Sequence, residues 1–154
     1  MIFLAESKDK IYAQILADIA RESGAALWTK EQFEEELNLT CAQIFLCVKK
    51  GKDDIKEVFG FICFRIYQDE GELTNFAIKP QEQNKHFGTE LLTFALTSLI
   101  TKGVKKITLE VNTQNKKAKK IYQDFGFKKV AMRKNFYEGE IDAELMLFTA
   151  PNKL

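Results

Sequence analysis

The chain has 154 residues, a length that forms a single domain and buries roughly two-thirds of the surface its unfolded form exposes, so a large multidomain assembly is excluded. A hydrophobic content of 45% and a charged content of 29% exclude intrinsic disorder. A formal net charge of +1 leaves no global basic field for nucleic acid and no acidic tail for a basic partner.

The amino-terminal Met1-Ile2-Phe3-Leu4-Ala5-Glu6 meets acid at once and no segment reaches membrane length, so a soluble cytoplasmic protein is expected. After a short opening strand, Ile11, Ile15, Leu16 and Ile19 recur at helical spacing and predict one amphipathic helix between Ser7 and Gly24. Thr29-Lys30-Glu31-Gln32 is a capping box that starts a second helix through Phe33 and Leu37. Trp28, just before the cap, either staples that helix against Phe33 or contacts a substrate. Three strands follow at 44–48, 58–67 and 73–78, antiparallel because their connections are short polar breaks at 50–54 and 69–71. Leu91, Leu92, Ala95, Leu96, Leu99 and Ile100 mark one face of a long helix that stops at Gly103. A buried strand at 106–111, a short helix with Ala118, Ile121, Tyr122 and Phe125, and two strands at 127–137 and 141–149 around Glu138-Gly139 close the chain. The three cysteines lie in apolar settings with no C-x-x-C pair, which reads as buried thiols in a reducing compartment, and no cluster has metal-ligand spacing.

Charge is uneven along this order. Residues 1–80 hold ten Lys/Arg against fourteen Asp/Glu, and residues 81–154 hold thirteen against eight, so an anionic ligand is expected to prefer the second half. There a strand leads through a polar loop with Gly88 into the long helix, an arrangement whose free N–H groups and positive helix end suit a phosphate.

The order of elements and several spaced motifs resemble the GNAT superfamily of acyl-CoA-dependent N-acyltransferases, and within it the enzymes that acetylate the N-terminal alanine of a ribosomal protein. Members carry Q/R-x-x-G-x-G/A before the third helix, and this chain reads Gln83-Asn84-Lys85-His86-Phe87-Gly88. The likeness continues through Leu27-Trp28, Asn75-Phe76-Ala77-Ile78-Lys79-Pro80, Leu109-Glu110-Val111, Asn115, Tyr122, Gly126-Phe127 and Arg133-Lys134-Asn135-Phe136-Tyr137. It implies a single domain over 1–154 with an α/β (α+β) GNAT fold: one mixed, mostly antiparallel sheet of about six to seven strands flanked by about four helices.

The resemblance places acetyl-CoA against Phe76, Ala77 and Ile78 as an added strand would lie, and its pyrophosphate on the N–H groups of Asn84, Lys85, His86, Phe87, Gly88 and Thr89, with Asn115 as a further contact. His86 stands where the family has its first glycine and is read as a loop residue beside phosphate rather than as a base. Glu110 matches the family's general base and Tyr122 the acid that protonates the leaving sulfur. The bare residues allow a solvent-facing carboxylate and a core tyrosine instead. Trp28 and Tyr137 would grip the acceptor. Lys116, Lys117, Lys119 and Lys120 form a solvated helix face unless a cofactor 3′-phosphate or a ribosomal partner uses them.

The implied reaction is direct transfer from acetyl-CoA, in a ternary complex and without metal, to a protein N-terminus, here the Ala of a small-subunit ribosomal protein. The protein would be a monomer or weak homodimer with no nucleic-acid or membrane partner. A small amine or lysine acceptor, and an acyl-CoA-binding module without turnover, are the competing readings.

Overall fold

The computed structural model describes residues 1–52, 56–137 and 139–152, leaving aside the side chains of Ser7 and Tyr137. Strand β1 (Ile2–Leu4) leads into a 3₁₀ segment (Ser7–Tyr12) and helix α1 (Ala13–Ser23). The single helix predicted here is therefore split. Three residues per turn carry positions off a 3.6-residue stripe, so Ile11 points outward, 82% exposed, while Leu16 and Ile19 are fully buried. Helix α2 (Lys30–Asn38) starts at the predicted capping box: Thr29 N–H donates to Gln32 Oε1 at 2.8 Å and Gln32 N–H to Thr29 Oγ1 at 3.2 Å.

Strands β2 (Ala42–Lys50), β3 (Lys56–Tyr67) and β4 (Glu70–Ile78) form an antiparallel meander. The β3–β4 connection is tighter than the sequence suggests, since Tyr67 already pairs with Glu70 and Gln68 takes a left-handed φ of 57°. Helix α3 (Phe87–Thr101) ends before Gly103, whose φ of 98° only glycine adopts without cost. Strand β5 (Lys106–Asn112), helix α4 (Lys116–Asp124) and strands β6 (Lys128–Tyr137) and β7 (Ile141–Thr149) complete the chain. Of the predicted polar breaks, Asp53, Asp54 and Glu138 lie outside the described residues.

The sheet runs β1-β2-β3-β4-β5-β7-β6, antiparallel throughout except between β4 and β5. Helices cover both faces, which is why residues 44–48 are an unbroken buried run instead of an alternating one. On one face Leu91, Leu92, Ala95, Leu96 and Leu99 of α3 pack with Phe45, Phe64, Leu109 and Val111. On the other, Leu16, Ile19 and Ala20 of α1 and Phe33 of α2 pack with Ile44, Leu46, Phe61 and Ala77. Arg65 on β3 clasps Glu36 of α2 through Nε at 2.9 Å and Nη2 at 2.6 Å. Hydrogen bonding to this buried carboxylate raises the guanidinium pKa further.

Cys47 and Cys63 sit in opposite faces of this core as free thiols, as expected. Cys41 is only half-buried, its Sγ 3.6 Å from the Tyr67 hydroxyl. Among the described residues, no helix is long and apolar enough to cross a membrane, and no three His, Cys, Asp or Glu side chains gather as a metal site.

Strand β4 pairs with β5 only from Glu70 to Glu72, opposite Lys106 to Thr108, whereas β5 remains paired with β7 as far as Asn112. Just beyond the last shared pair, Phe64 opposes Leu73 and Cys63 opposes Asn75, so Thr74 is an extra residue on β4. A bulge of this kind bends and twists its strand, and here it turns β4 away from β5. The two strands part and leave a gap through the sheet.

Candidate active site

The β4 edge of the gap presents backbone groups without a strand partner. Lys79 N–H donates to the Phe59 carbonyl at 2.8 Å, and successive residues point their N–H and C=O groups to alternate sides. The polar groups of Phe76 and Ile78 therefore face the gap, while those of Ala77 face β3. The Ile78 carbonyl is met there by Gln83 Nε2 at 3.0 Å.

The segment after β4 turns through Asn84 (φ 61°) and His86 (φ 66°, ψ 4°) into α3. His86 thus occupies the left-handed conformation for which the related motif uses glycine, with its side chain exposed to solvent. It caps the helix through its backbone alone: its carbonyl accepts from Glu90 N–H at 3.0 Å, and its side chain makes no cap. The first-turn N–H groups of Phe87, Gly88 and Thr89 precede the first i→i−4 bond and so point out of the helix end toward the loop. Gly88 lies under the β4 edge, where an added Cβ would sit 3.5 Å from Phe76 and 3.8 Å from Ile78. The Phe87 ring packs 4.7 Å from that of Phe59, and Lys85 pairs with Glu82 at 3.0 Å. Lys49 and Lys85, hydrogen-bonded to Glu82, hold its carboxyl below the usual range.

Helix α4 forms the opposite wall. Asn115 Oδ1 accepts from Ala118 N–H at 3.1 Å, so the residue expected to touch a cofactor is first of all the cap of this helix. Lys117 reaches across to Asn84 Oδ1 at 2.8 Å and Gln83 Oε1 at 3.5 Å, tying α4 to the loop before α3. Of the four lysines, Lys116, Lys117 and Lys120 are exposed, Lys120 beside Asp124, whereas Lys119 turns inward to pair with the buried Glu144 at 2.9 Å. Tyr122 is buried in the α3/α4 core, its ring 6.4 Å from Phe76 and 5.6 Å from Phe127.

Glu110 lies on the other side of the sheet. Its neighbours Leu109 and Val111 belong to the α3/α4 core, so alternation turns Glu110 toward the α1/α2 face. Arg133 of β6 donates through Nη1 to both carboxylate oxygens, at 3.0 and 3.2 Å. Also on this face, Asn75 Nδ2 donates to the Ala26 carbonyl at 3.0 Å and holds the α1–α2 connection over β4. Trp28 in that connection packs against Phe33 with ring centroids 5.3 Å apart and planes tilted by 58°, which makes it the staple of α2. Tyr137 ends β6 opposite Ile141, and its side chain lies outside the described residues.

The structure thus brings Phe76, Ile78 and residues 84–89 together along one rim of the gap and sets Tyr122 and Glu110 on its two faces. Two surface depressions, of about 370 Å³ by Tyr12, Lys56 and Lys79 and about 290 Å³ by Cys41, Gln43 and Lys102, lie outside it. Sequence reasoning missed Gln83, Lys117, Arg133 and Asn75 as structural partners of the site. All but Lys117 stand in the quoted motifs, but nothing in local spacing shows which distant group each one meets.

The Acetyltransferase (GNAT) family model matches residues 13–127, and the chain belongs to that family. It is an acyl-CoA-dependent N-acetyltransferase. A [ribosomal protein bS18]-alanine N-acetyltransferase of Salmonella typhimurium is 32% identical over 105 residues, covering 66% of this chain and 70% of the relative. A Bacillus subtilis protein provisionally given the same name is 27% identical over 148 residues, 96% of this chain and 92% of the relative. The crystal structure of the ribosomal-protein-S18-alanine N-acetyltransferase from Escherichia coli superposes with a TM-score of 0.82 at 26% identity, over 100% of this chain and 99% of that one.

Proposed function

We propose that the chain acetylates the N-terminal α-amine of a protein, with a small first residue such as Ala on a small-subunit ribosomal protein as its acceptor, by direct attack on acetyl-CoA in a ternary complex. The observation that carries this reading is the gap between β4 and β5, with Glu110 on one face of the sheet and Tyr122 on the other. Two substrates entering from opposite faces meet only there.

The residues on the cofactor side fit a thioester of coenzyme A. The gap-facing groups of Phe76 and Ile78 suit an amide-bearing arm lying along β4 as an added strand. The N–H groups of residues 87–89, with the Lys117 ammonium beside Asn84, suit a pyrophosphate. When bound, acetyl-CoA supplies an acyl group already activated as a thioester. Glu110 takes the proton from the acceptor's ammonium, and the freed amine forms a C–N bond with the thioester carbonyl carbon. Backbone N–H groups of the β4 edge stabilise the charge that develops on that carbonyl's oxygen. As the C–S bond breaks, the Tyr122 hydroxyl gives its proton to the departing sulfur, and the extra proton on the bonded nitrogen restores the phenol, which leaves a neutral amide, a free thiol and one proton on Glu110. An N-terminal α-amine, with an unperturbed pKa of about 7.7–8.0 against about 10.4 for lysine, needs only this one carboxylate base near neutral pH.

The test supplies acetyl-CoA with peptides beginning in Ala, Ser, Met or Gly, a lysine peptide blocked at its N-terminus, and polyamines, and reads products by mass spectrometry. Acetylation is expected at the α-amine of the Ala and Ser peptides. Glu110→Gln and Tyr122→Phe should each lower kcat about 10²- to 10⁴-fold, the usual range for a removed acid or base. Product on the polyamines or the lysine side chain instead moves the acceptor assignment, and bound acetyl-CoA with no product across the panel removes the catalytic one.

A further inference from the structure

We infer that Arg133, backed by Phe136, is the positioning residue that fixes the Glu110 carboxylate for proton transfer. The inference rests on Glu110 being the general base and goes beyond it by assigning what aims that base.

A glutamate has three side-chain torsions, and proton abstraction works only when the carboxylate stays within hydrogen-bond reach of the amine. Glu110 projects from the middle of β5 into a partly open groove, its side chain 27% exposed, so burial alone does not restrain it. Arg133 does. One nitrogen, Nη1, bridges both carboxylate oxygens at 3.0 and 3.2 Å, which sets the position and the tilt of the group together.

The arginine is itself held. Its guanidinium carbon lies 4.6 Å from the Phe136 ring centroid, a stacking contact that a planar cation makes well and an ammonium makes poorly. Arg133 stands on β6, two strands from Glu110, with Ala143 opposite it on the intervening β7 and Leu145 opposite Glu110. The alanine methyl lets a long side chain cross β7 along this face.

Stability does not account for the pair. An ion pair this open to solvent contributes little to folding, and the Arg133 side chain is 60% exposed. The signature of positioning is therefore a large effect on turnover with a small effect on unfolding.

The experiment measures kcat, KM for an α-amine peptide, acetyl-CoA affinity and Tm for Arg133→Gln, Arg133→Lys, Phe136→Leu and Phe136→Tyr, alone and in a Glu110→Gln background. Arg133→Gln is expected to lower kcat about 10- to 100-fold with both affinities within about twofold and Tm within about 2 °C. Arg133→Lys should recover part of the loss, Phe136→Leu should reproduce part of it, and Phe136→Tyr, which keeps an aromatic face under the guanidinium, should lose less than Phe136→Leu. In the Glu110→Gln background the Arg133→Gln change should add less than about twofold, because a residue acting through another is silent once that one is gone. Wild-type kcat in Arg133→Gln, a loss confined to peptide KM, or an undiminished loss in the Glu110→Gln background overturns the inference while leaving the base assignment standing. Wild-type kcat in Glu110→Gln overturns the base assignment itself and the inference with it.

Discussion

His86 is the point at which a single residue departs most from its family's motif. The loop into α3 needs a left-handed residue there, and the chain keeps that conformation without glycine. An L-residue in this region costs roughly 1–2 kcal/mol, and glycine recovers most of that while giving back conformational entropy in the unfolded chain. His86→Gly is therefore expected to change Tm by no more than about 2 °C and to leave acetyl-CoA affinity equal or better. His86→Val, whose branched Cβ tolerates φ near +66° poorly, should weaken both. Calorimetric titration with acetyl-CoA beside a thermal melt checks this, and tighter binding by the valine variant would overturn it. The motif flagged this position, yet whether the side chain would fill the proposed phosphate site is answered only by the backbone, which sends it into solvent.

At the scale of elements, α4 and the loop before α3 act as one unit because Lys117 bridges them. If the bridge supports a pyrophosphate site, Lys117→Gln should weaken acetyl-CoA binding about tenfold and flatten its dependence on ionic strength. Lys120→Gln, on a lysine paired with Asp124, should do neither. Equal effects in both variants would return the lysines to a generic charged face. The helices and strands themselves were legible, since the stripe from Leu91 to Ile100, the capping box at Thr29 and the turn glycine at Gly103 are local signals. Ile11 was misplaced because a 3₁₀ turn obeys a different period. The parting of β4 from β5 was invisible for a deeper reason: it arises from the mismatch of two pairing registers around Thr74, and no residue there advertises a bulge. The reach of Arg133 to Glu110 was hidden in the same way, across two strands and 23 positions of chain.

The whole molecule stacks helices on both faces of one sheet, and Cys47 and Cys63 report on the two layers separately. Burial pushes the Cys63 thiol well up; burial, with a smaller contribution from Glu90, raises that of Cys47 from 9.0 to about 11. A pKa raised by folding means stability that is full below the unfolded value and lost as pH climbs through the folded one. Urea unfolding at pH 8, 9.5 and 11 should therefore show wild type losing ground to Cys47→Ala across that window, and a difference constant with pH would overturn the expectation. The gap in the sheet has a consequence at this same scale. A fold that leaves two strands unzipped over half their length is unfinished, and in the proposed binding mode the arm of the thioester would lie as its missing strand. A ligand held at a hundred times its dissociation constant adds about 2.7 kcal/mol to the folded state, a large fraction of what keeps a domain of this size intact. The folded population of the protein would then rise with the supply of any ligand that carries this arm and pyrophosphate, free coenzyme A included.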